Sequence, residues 1–228
     1  IYTYAKKVNL FIDPEKVRNK DLEIELNIKD IEYVINAYDS QINYIDSCIG
    51  KLIYKLKEMN LYNKTIIIIM GEHGEQLMDR DSFGHCLPYE EIVRVPLIIK
   101  HPKIKGKRIN GLVQCIDLMP TILKFLNFPI LETCQGKSLL PLIKRGKTIN
   151  RYTYTDGAPI AVQSIRTERW RFNDWEGRPD ELFDIRSAPN KNIISKYPDI
   201  VKKLRKRLLK WRLKNAKFKE KLARIEHP

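Results

Sequence analysis

The chain has 228 residues, 43% of them hydrophobic, enough for one large domain or a large piece of one with its own core. Its formal net charge is +14, but from Val201 to Pro228 twelve Lys and Arg stand against two Glu, so the rest of the chain carries only a mild excess. The basicity is a property of the tail and says little about a substrate. The longest apolar run, Thr65 to Met70, is far too short to span a bilayer as a helix. Cys48, Cys86, Cys115 and Cys134 form no CxxC pair and show no zinc-module spacing. They are expected to be reduced and mostly buried, which leans towards a reducing compartment and a cytoplasmic location. Ile1 reads as an interior or processed start.

Residues 1 to 28 show no clean period and read as an irregular connecting segment containing Pro14. From Asp30 to Asn60 apolar side chains recur in steps of three and four, from Ile31 and Val34 to Leu56 and Met59, which predicts a long amphipathic helix. Thr65-Ile-Ile-Ile-Ile-Met70 is short, β-branched and continuous, the pattern of a strand buried on both faces in a parallel sheet. Gly71-Glu72-His73-Gly74-Glu75 comes directly after it. Val95 to Lys100 predicts a second strand, and Asp117 caps a predicted helix over Leu118 to Leu126, with Pro120 in its first turn. Tyr152–Asp156, Ala161–Thr167 and Trp170–Asn173 alternate as a small antiparallel sheet, and Asp180 to Ile185 leads out of it. Pro198 begins a long helix.

This order predicts an α/β fold: a sheet with flanking helices, a small C-terminal antiparallel subdomain and a terminal basic helix. The expected divisions are 1–150, 151–200 and 201–228. In the tail, Val201, Leu204, Leu208, Trp211, Asn215, Phe218, Leu222 and Ile225 form a heptad seam flanked by Lys and Arg. Its first turns, to about Trp211, are expected to dock on the body, with the rest a solvated extension. An anionic membrane surface or an acidic partner is one alternative for such a helix and self-association another, opposed by the like charges flanking the seam; no specific nucleic-acid recognition is expected.

Ligands of open α/β sheets bind beyond the carboxyl ends of strands, which is where Gly71–Glu75 lies. Glu72 and His73, between two glycines, can both face one cation there, or the loop is simply polar. Oxygen plus imidazole suits zinc, manganese or iron, whereas calcium would use the oxygen alone. Tyr89, Glu90 and Arg94 read as a local polar network. Arg166, Arg169 and Arg171 line the small sheet, and Trp170, Phe172 and Trp175 read as core, with exposure the alternative for Trp175 beside Gly177 and Pro179.

Six segments in order carry a resemblance to one known family. Tyr38, Ile42, Asp46, Ile49, Gly50 and Leu52 match its helix pattern. Thr65 to Glu75 resembles the family's strand ending in D-H/N-G, and Phe83-Gly-His85 with Tyr89 to Leu97 resembles the segment after that strand. Asp117-Leu-Met-Pro-Thr121 resembles D-L-x-P-T, while Gly136 to Leu140 and Glu181-Leu-Phe-Asp184 resemble the two C-terminal signatures. Together these segments resemble the sulfatase family of the alkaline phosphatase superfamily over about residues 30 to 211, which implies a C-terminal part of an alkaline phosphatase-like fold.

The resemblance implies a metal-dependent sulfuric ester hydrolase acting on a small-molecule or carbohydrate sulfate ester. Glu72 and His73 take the places of metal ligands, with Glu where the family has Asp. His85 takes a catalytic and substrate-binding place, where the family has Lys or His against the ester oxygens. The ion is expected to be calcium, with manganese, zinc and magnesium as alternatives. The nucleophile motif C/S-x-P-x-R is absent from the chain; Cys86-Leu-Pro88 comes nearest, with Glu90 where Arg belongs. The nucleophile and the remaining metal ligands are therefore expected from an N-terminal half of the same fold, and the chain alone is expected to be inactive. The rival readings are a phosphatase, phosphonate monoester hydrolase or phosphotransferase of the same superfamily, and an inactive, degenerate or binding-only protein.

Overall fold

A computed structural model describes residues 28–157 and 161–226; the segment expected to be irregular lies, but for its last residue, outside them. The chain divides into two compact units. Among the described residues, the first comprises 28–69 together with Gln76–Gly84 and Ile98–Ile104, and the second comprises Met70–Glu75, His85–Leu97, 105–157 and 161–226.

In the first unit the predicted amphipathic helix is α1, Ile28–Glu58. None of its residues is buried, and Ile42, Ile45 and Leu52 on its apolar stripe are all more than half exposed. The apolar run after it gives β1, Ile67–Met70, which pairs with β4, Leu97–Lys100. The expectation that this strand is buried on both faces does not hold: Ile67 to Ile69 are half-buried and Met70 is exposed. A two-stranded sheet has too little surface to cover both faces of a strand. Lys100 anchors the start of β1, donating to the carbonyls of Thr65 (2.9 Å) and Tyr62 while its ammonium lies 4.2 Å from the centre of the Tyr62 ring. A short hairpin of β2, Gln76–Leu77, and β3, Phe83–Gly84, completes this unit.

The second unit holds the short helix α2, Glu90–Val93, the helices α3, Leu118–Phe125, and α4, Leu140–Arg145, and a four-stranded antiparallel sheet. Its strands are β5 (Thr153–Asp156), β6 (Val162–Arg166), β7 (Trp170–Trp175) and β8 (Glu181–Asp184), in that spatial order. Glu181–Asp184 is thus a member of the sheet and not merely an exit from it. Cross-strand register sets Tyr154 opposite Ile165, Ile165 opposite Phe172 and Phe172 opposite Leu182. Residues directly opposite one another share a face, so these form one apolar row. The helix α5, Pro198–Glu226, lays Val201, Leu204 and Leu208 on that row, and this is the buried core.

The other face of the sheet is polar and also buried. Arg171, 3% exposed, is held by Glu90 of α2 and by the Ser164 hydroxyl, and Arg166 grips the same Glu90 carboxylate at 2.7 Å. The polar network expected around Glu90 therefore forms with two sheet arginines, while Arg94 is exposed. Tyr89 donates to Glu181, which also accepts from the Trp175 indole at 2.9 Å; Trp175 is buried, in line with its reading as core and not with the alternative of exposure. Burial alone would push the Glu90 carboxyl up, but the Arg166 hydrogen bond and the Arg171 charge together hold it below the usual carboxylate range.

The D-L-x-P-T segment proves to be a brace. Asp117 is fully buried and accepts from the backbone of Gln114 (3.0 Å) and Lys137 (2.8 Å) and from the Asn150 amide (2.7 Å). Its carboxylate therefore does not cap α3 as expected; it is already committed to the turn before the helix. Thr121 carries a bond onward from the backbone of Leu139, and a side chain at Gly136 would meet the Ile116 carbonyl at 1.9 Å. The cysteines also differ from expectation. Cys48, Cys86 and Cys115 are exposed and Cys134 is half-buried, because they sit on α1, in a loop, in a turn and in a loop, not on core-facing positions. None of the helices among the described residues is long and apolar enough to cross a membrane.

Candidate active site

The loop after β1 is fixed by two backbone bonds. The Gly71 N–H donates to the Pro96 carbonyl at 3.1 Å, and the Gly74 N–H donates to the Ile92 carbonyl at 2.6 Å. A Cβ on Gly74 would fall 2.0 Å from the Glu91 carbonyl oxygen, so only glycine allows this approach. Pinned at both glycines, the loop presents Glu72 and His73 to solvent and turns Glu75 inward, where it is half-buried.

His73 and His85, twelve residues apart in sequence, stack with ring centres 4.3 Å apart and planes 19° from parallel. Glu75 joins them. His85 Nδ1 lies 3.0 and 3.2 Å from the two Glu75 carboxylate oxygens, and His73 Nδ1 lies 3.9 Å from one of them. His73 Nδ1 also lies 2.8 Å from the Gly74 carbonyl; a carbonyl only accepts, so Nδ1 is the donor in this contact. One potential ligand atom from each of His73, Glu75 and His85 lies within 4.8 Å of the others.

Sequence reasoning placed Glu72, His73 and His85 at one site. The three do line one cavity, of about 1260 Å³, which Arg166, Tyr154 and Trp211 also line. The carboxylate in contact with the two imidazoles, however, is Glu75, which the sequence reading passed over; Glu72 is exposed on the cavity wall. Of the three sheet arginines, Arg171 is spent on Glu90 and Arg169 on Asp184, at 2.8 Å. Arg166 and Arg171 both line the cavity while bonded to Glu90.

The Sulfatase family model matches residues 3–128, and the model for the N-sulphoglucosamine sulphohydrolase C-terminal region matches residues 72–214. Arylsulfatase K of Gallus gallus is 28% identical over 200 residues, which is 80% of this chain and 37% of that protein. The phosphonate monoester hydrolase of Silicibacter pomeroyi superposes with a TM-score of 0.76 at 26% identity, covering 85% of this chain and 43% of the other. A protein solved in complex with its substrate D-glucosamine-2-N,6-O-disulfate superposes with a TM-score of 0.75 at 23% identity, covering 95% of this chain and 46% of the other. The chain thus spans less than half the length of these relatives.

Proposed function

The chain belongs to the sulfatase family, and from that premise we propose that it supplies the C-terminal part of a sulfuric ester hydrolase active site. The observation that carries this reading is the meeting of Glu72, His73 and His85 in one cavity beyond the end of β1. Glu72 and His73 face a divalent cation there. Their carboxylate and imidazole fit such an ion, and members of the superfamily generally depend on one. Calcium, the ion the family resemblance implies, would take only the oxygen from this pair. When bound, the ion polarises the ester oxygens and stabilises negative charge that develops on them.

The protein side chains do the remaining work. Glu75 holds His85 through Nδ1, so the ring turns its Nε2 to the ester. A proton on that nitrogen can be shared with a non-bridging oxygen or passed to the leaving oxygen as the ester bond breaks. The attacking group has no candidate here, since C/S-x-P-x-R is absent from the 228 residues. A sulfated sugar is the substrate class favoured by the match to the sulphoglucosamine sulphohydrolase region. The basic outer face of α5 is a second surface, suited to an anionic one.

A phosphonate or phosphate monoester is the second reading, favoured by the superposition on a phosphonate monoester hydrolase. Activity tests separate the two. The chain alone should turn over neither p-nitrophenyl sulfate nor a phenyl phosphonate. Joined to an N-terminal segment that supplies C/S-x-P-x-R, it should release sulfate, and His73→Ala or His85→Ala should remove at least about 100-fold of that rate. Release from the phosphonate with none from the sulfate ester would establish the second reading instead.

A further inference from the structure

We propose that the outward face of α5 is a docking surface for an anionic lipid bilayer, on which the helix lies flat with Leu209 and Leu213 entering the headgroup layer. The proposal gives that face one partner. It does not rest on ester hydrolysis and uses no residue of the cavity.

The seam residues fix which way the helix faces. Val201, Leu204 and Leu208 are buried against the sheet, so the residues on the opposite side of the helix point to solvent. Lys202, Lys206, Leu209, Leu213 and Lys217 follow one another there in steps of four, three, four and four. Lys203, Lys210 and Lys214 stand beside them, and all eight side chains are exposed. Leu209 and Leu213 are 52% and 57% exposed, one turn apart in the middle of the lysines. At about 1.5 Å per residue the stripe from Lys202 to Lys217 runs about 23 Å. No proline or glycine follows Pro198 in the helix, so nothing in its sequence kinks the stripe.

The helix sorts its cations by partner. Arg205 and Arg212, on its flank, turn to the body: Arg205 bonds to Asp180, and Arg212 reaches Asp174 at 2.7 Å. Among the described residues the six outer lysines make no ion pair, and Glu220 is the single acid between Val201 and Ala223. Such a face attracts a negatively charged leaflet, and each lysine brought to it strengthens binding about fivefold.

Two features choose a bilayer over a nucleic acid or a soluble acidic polymer. The six outer cations are lysines, point charges on long stems that reach past apolar groups, whereas recognition of individual phosphates favours the arginine fork. The two leucines gain nothing from a polyanion in water, and none of the eight outer residues is an aromatic on which a base could stack. In a bilayer interface the same leucines bury their side chains while the lysines reach the phosphates, as in helices that lie in the membrane plane.

The test is co-sedimentation of the 228-residue chain with vesicles of phosphatidylcholine alone and of phosphatidylcholine mixed with phosphatidylserine. Binding to the mixed vesicles is expected, at least about 100-fold tighter than to phosphatidylcholine. Lys202→Glu, Lys206→Glu, Lys210→Glu and Lys217→Glu combined should weaken it by more than about 100-fold. Reversing the exposed Lys51, Lys105, Lys107 and Lys147 together should cost less than about fivefold, since those charges lie off the docking face and salt screens them. Leu209→Ser with Leu213→Ser should weaken vesicle binding by at least about tenfold. The same pair should leave binding to heparin or duplex DNA within about twofold. Every substituted position is exposed, so thermal melts should show an unchanged fold. Absence of binding to the mixed vesicles, or equal binding to both kinds, overturns the proposal. So does an equal loss from the two quadruple variants, because binding would then follow net charge and not this face. A leucine pair whose removal changes nothing overturns it as well and assigns the face to a soluble polyanion. None of these results touches sulfate release by the joined protein, so the two readings fail separately.

Discussion

Glu90 is the residue on which the polar face of the sheet depends. Its carboxylate accepts from Arg166 and Arg171, and Arg171 is buried in a place where an unpaired guanidinium has no water to turn to. Glu90→Gln leaves that cation without a counter-charge, and breaking one side of such a pair costs about 3–5 kcal/mol. Urea denaturation of the variant should show a loss of that order; a loss below about 1 kcal/mol would mean water reaches Arg171. Glu90 also shows where sequence legibility ended. A carboxylate beside Tyr89 was expected to act locally, but its partners lie 76 and 81 positions away, a pairing no local pattern encodes. The same holds at the site. A strand running into glycine pointed to Glu72 and His73, the family resemblance pointed to His85, and all three line one cavity. Which of Glu72 and Glu75 turns to the imidazoles depends on the backbone bond from Gly74 to the Ile92 carbonyl, which spacing along the chain does not reveal.

At the scale of elements, the long helices and the first three strands of the small sheet were legible because one face of each carries the hydrophobic pattern. The strand β8 was not, because it is covered on both faces: Leu182 packs in the core with α5 while Phe183 meets the edge of the Tyr89 ring, so no alternation survives. Asp184 closes that strand. The Arg169 hydrogen bond, opposed by burial and aided by Ser187 and the Arg186 backbone, lowers its pKa from 3.8 to about 2. A carboxyl depressed in the folded state stabilises the fold fully above its unfolded pKa, and that contribution is lost as pH falls towards the folded value. Stability should therefore drop between about pH 4 and pH 2. Asp184→Asn should be less stable at neutral pH and should show a shallower acid loss over that window in thermal melts; an unchanged acid slope would mean Asp184 is not the group that titrates.

For the molecule as a whole, the tail decides how far the core extends. The seam spacing turns Val201, Leu204 and Leu208 inward, where they join the core, and sets Trp211 flat on Tyr154, with ring centres 4.9 Å apart. The expectation of a solvated extension beyond Asn215 does not fit as well. Asn215, Phe218 and Leu222 stay half-buried, and Lys221 reaches Glu132 at 2.7 Å. The physical reason is continuity: a three-and-four stripe that starts on the body keeps the same face inward for as long as the helix runs straight. The exposed Lys221–Glu132 pair adds little, under about 1 kcal/mol. Half-burial of one Phe and one Leu is worth about 2 kcal/mol in total, since full burial is worth about 1.5–3 kcal/mol each. At roughly 2–4 °C per kcal/mol for a chain of this size, deleting 214–228 should lower the melting temperature by about 4–8 °C. Glu132→Gln alone should move it by less than about 4 °C on the same scale. A deletion that shifts the melt by under about one degree would show that the helix beyond Trp211 is free of the body, and its basic face would then be fully open to an anionic surface.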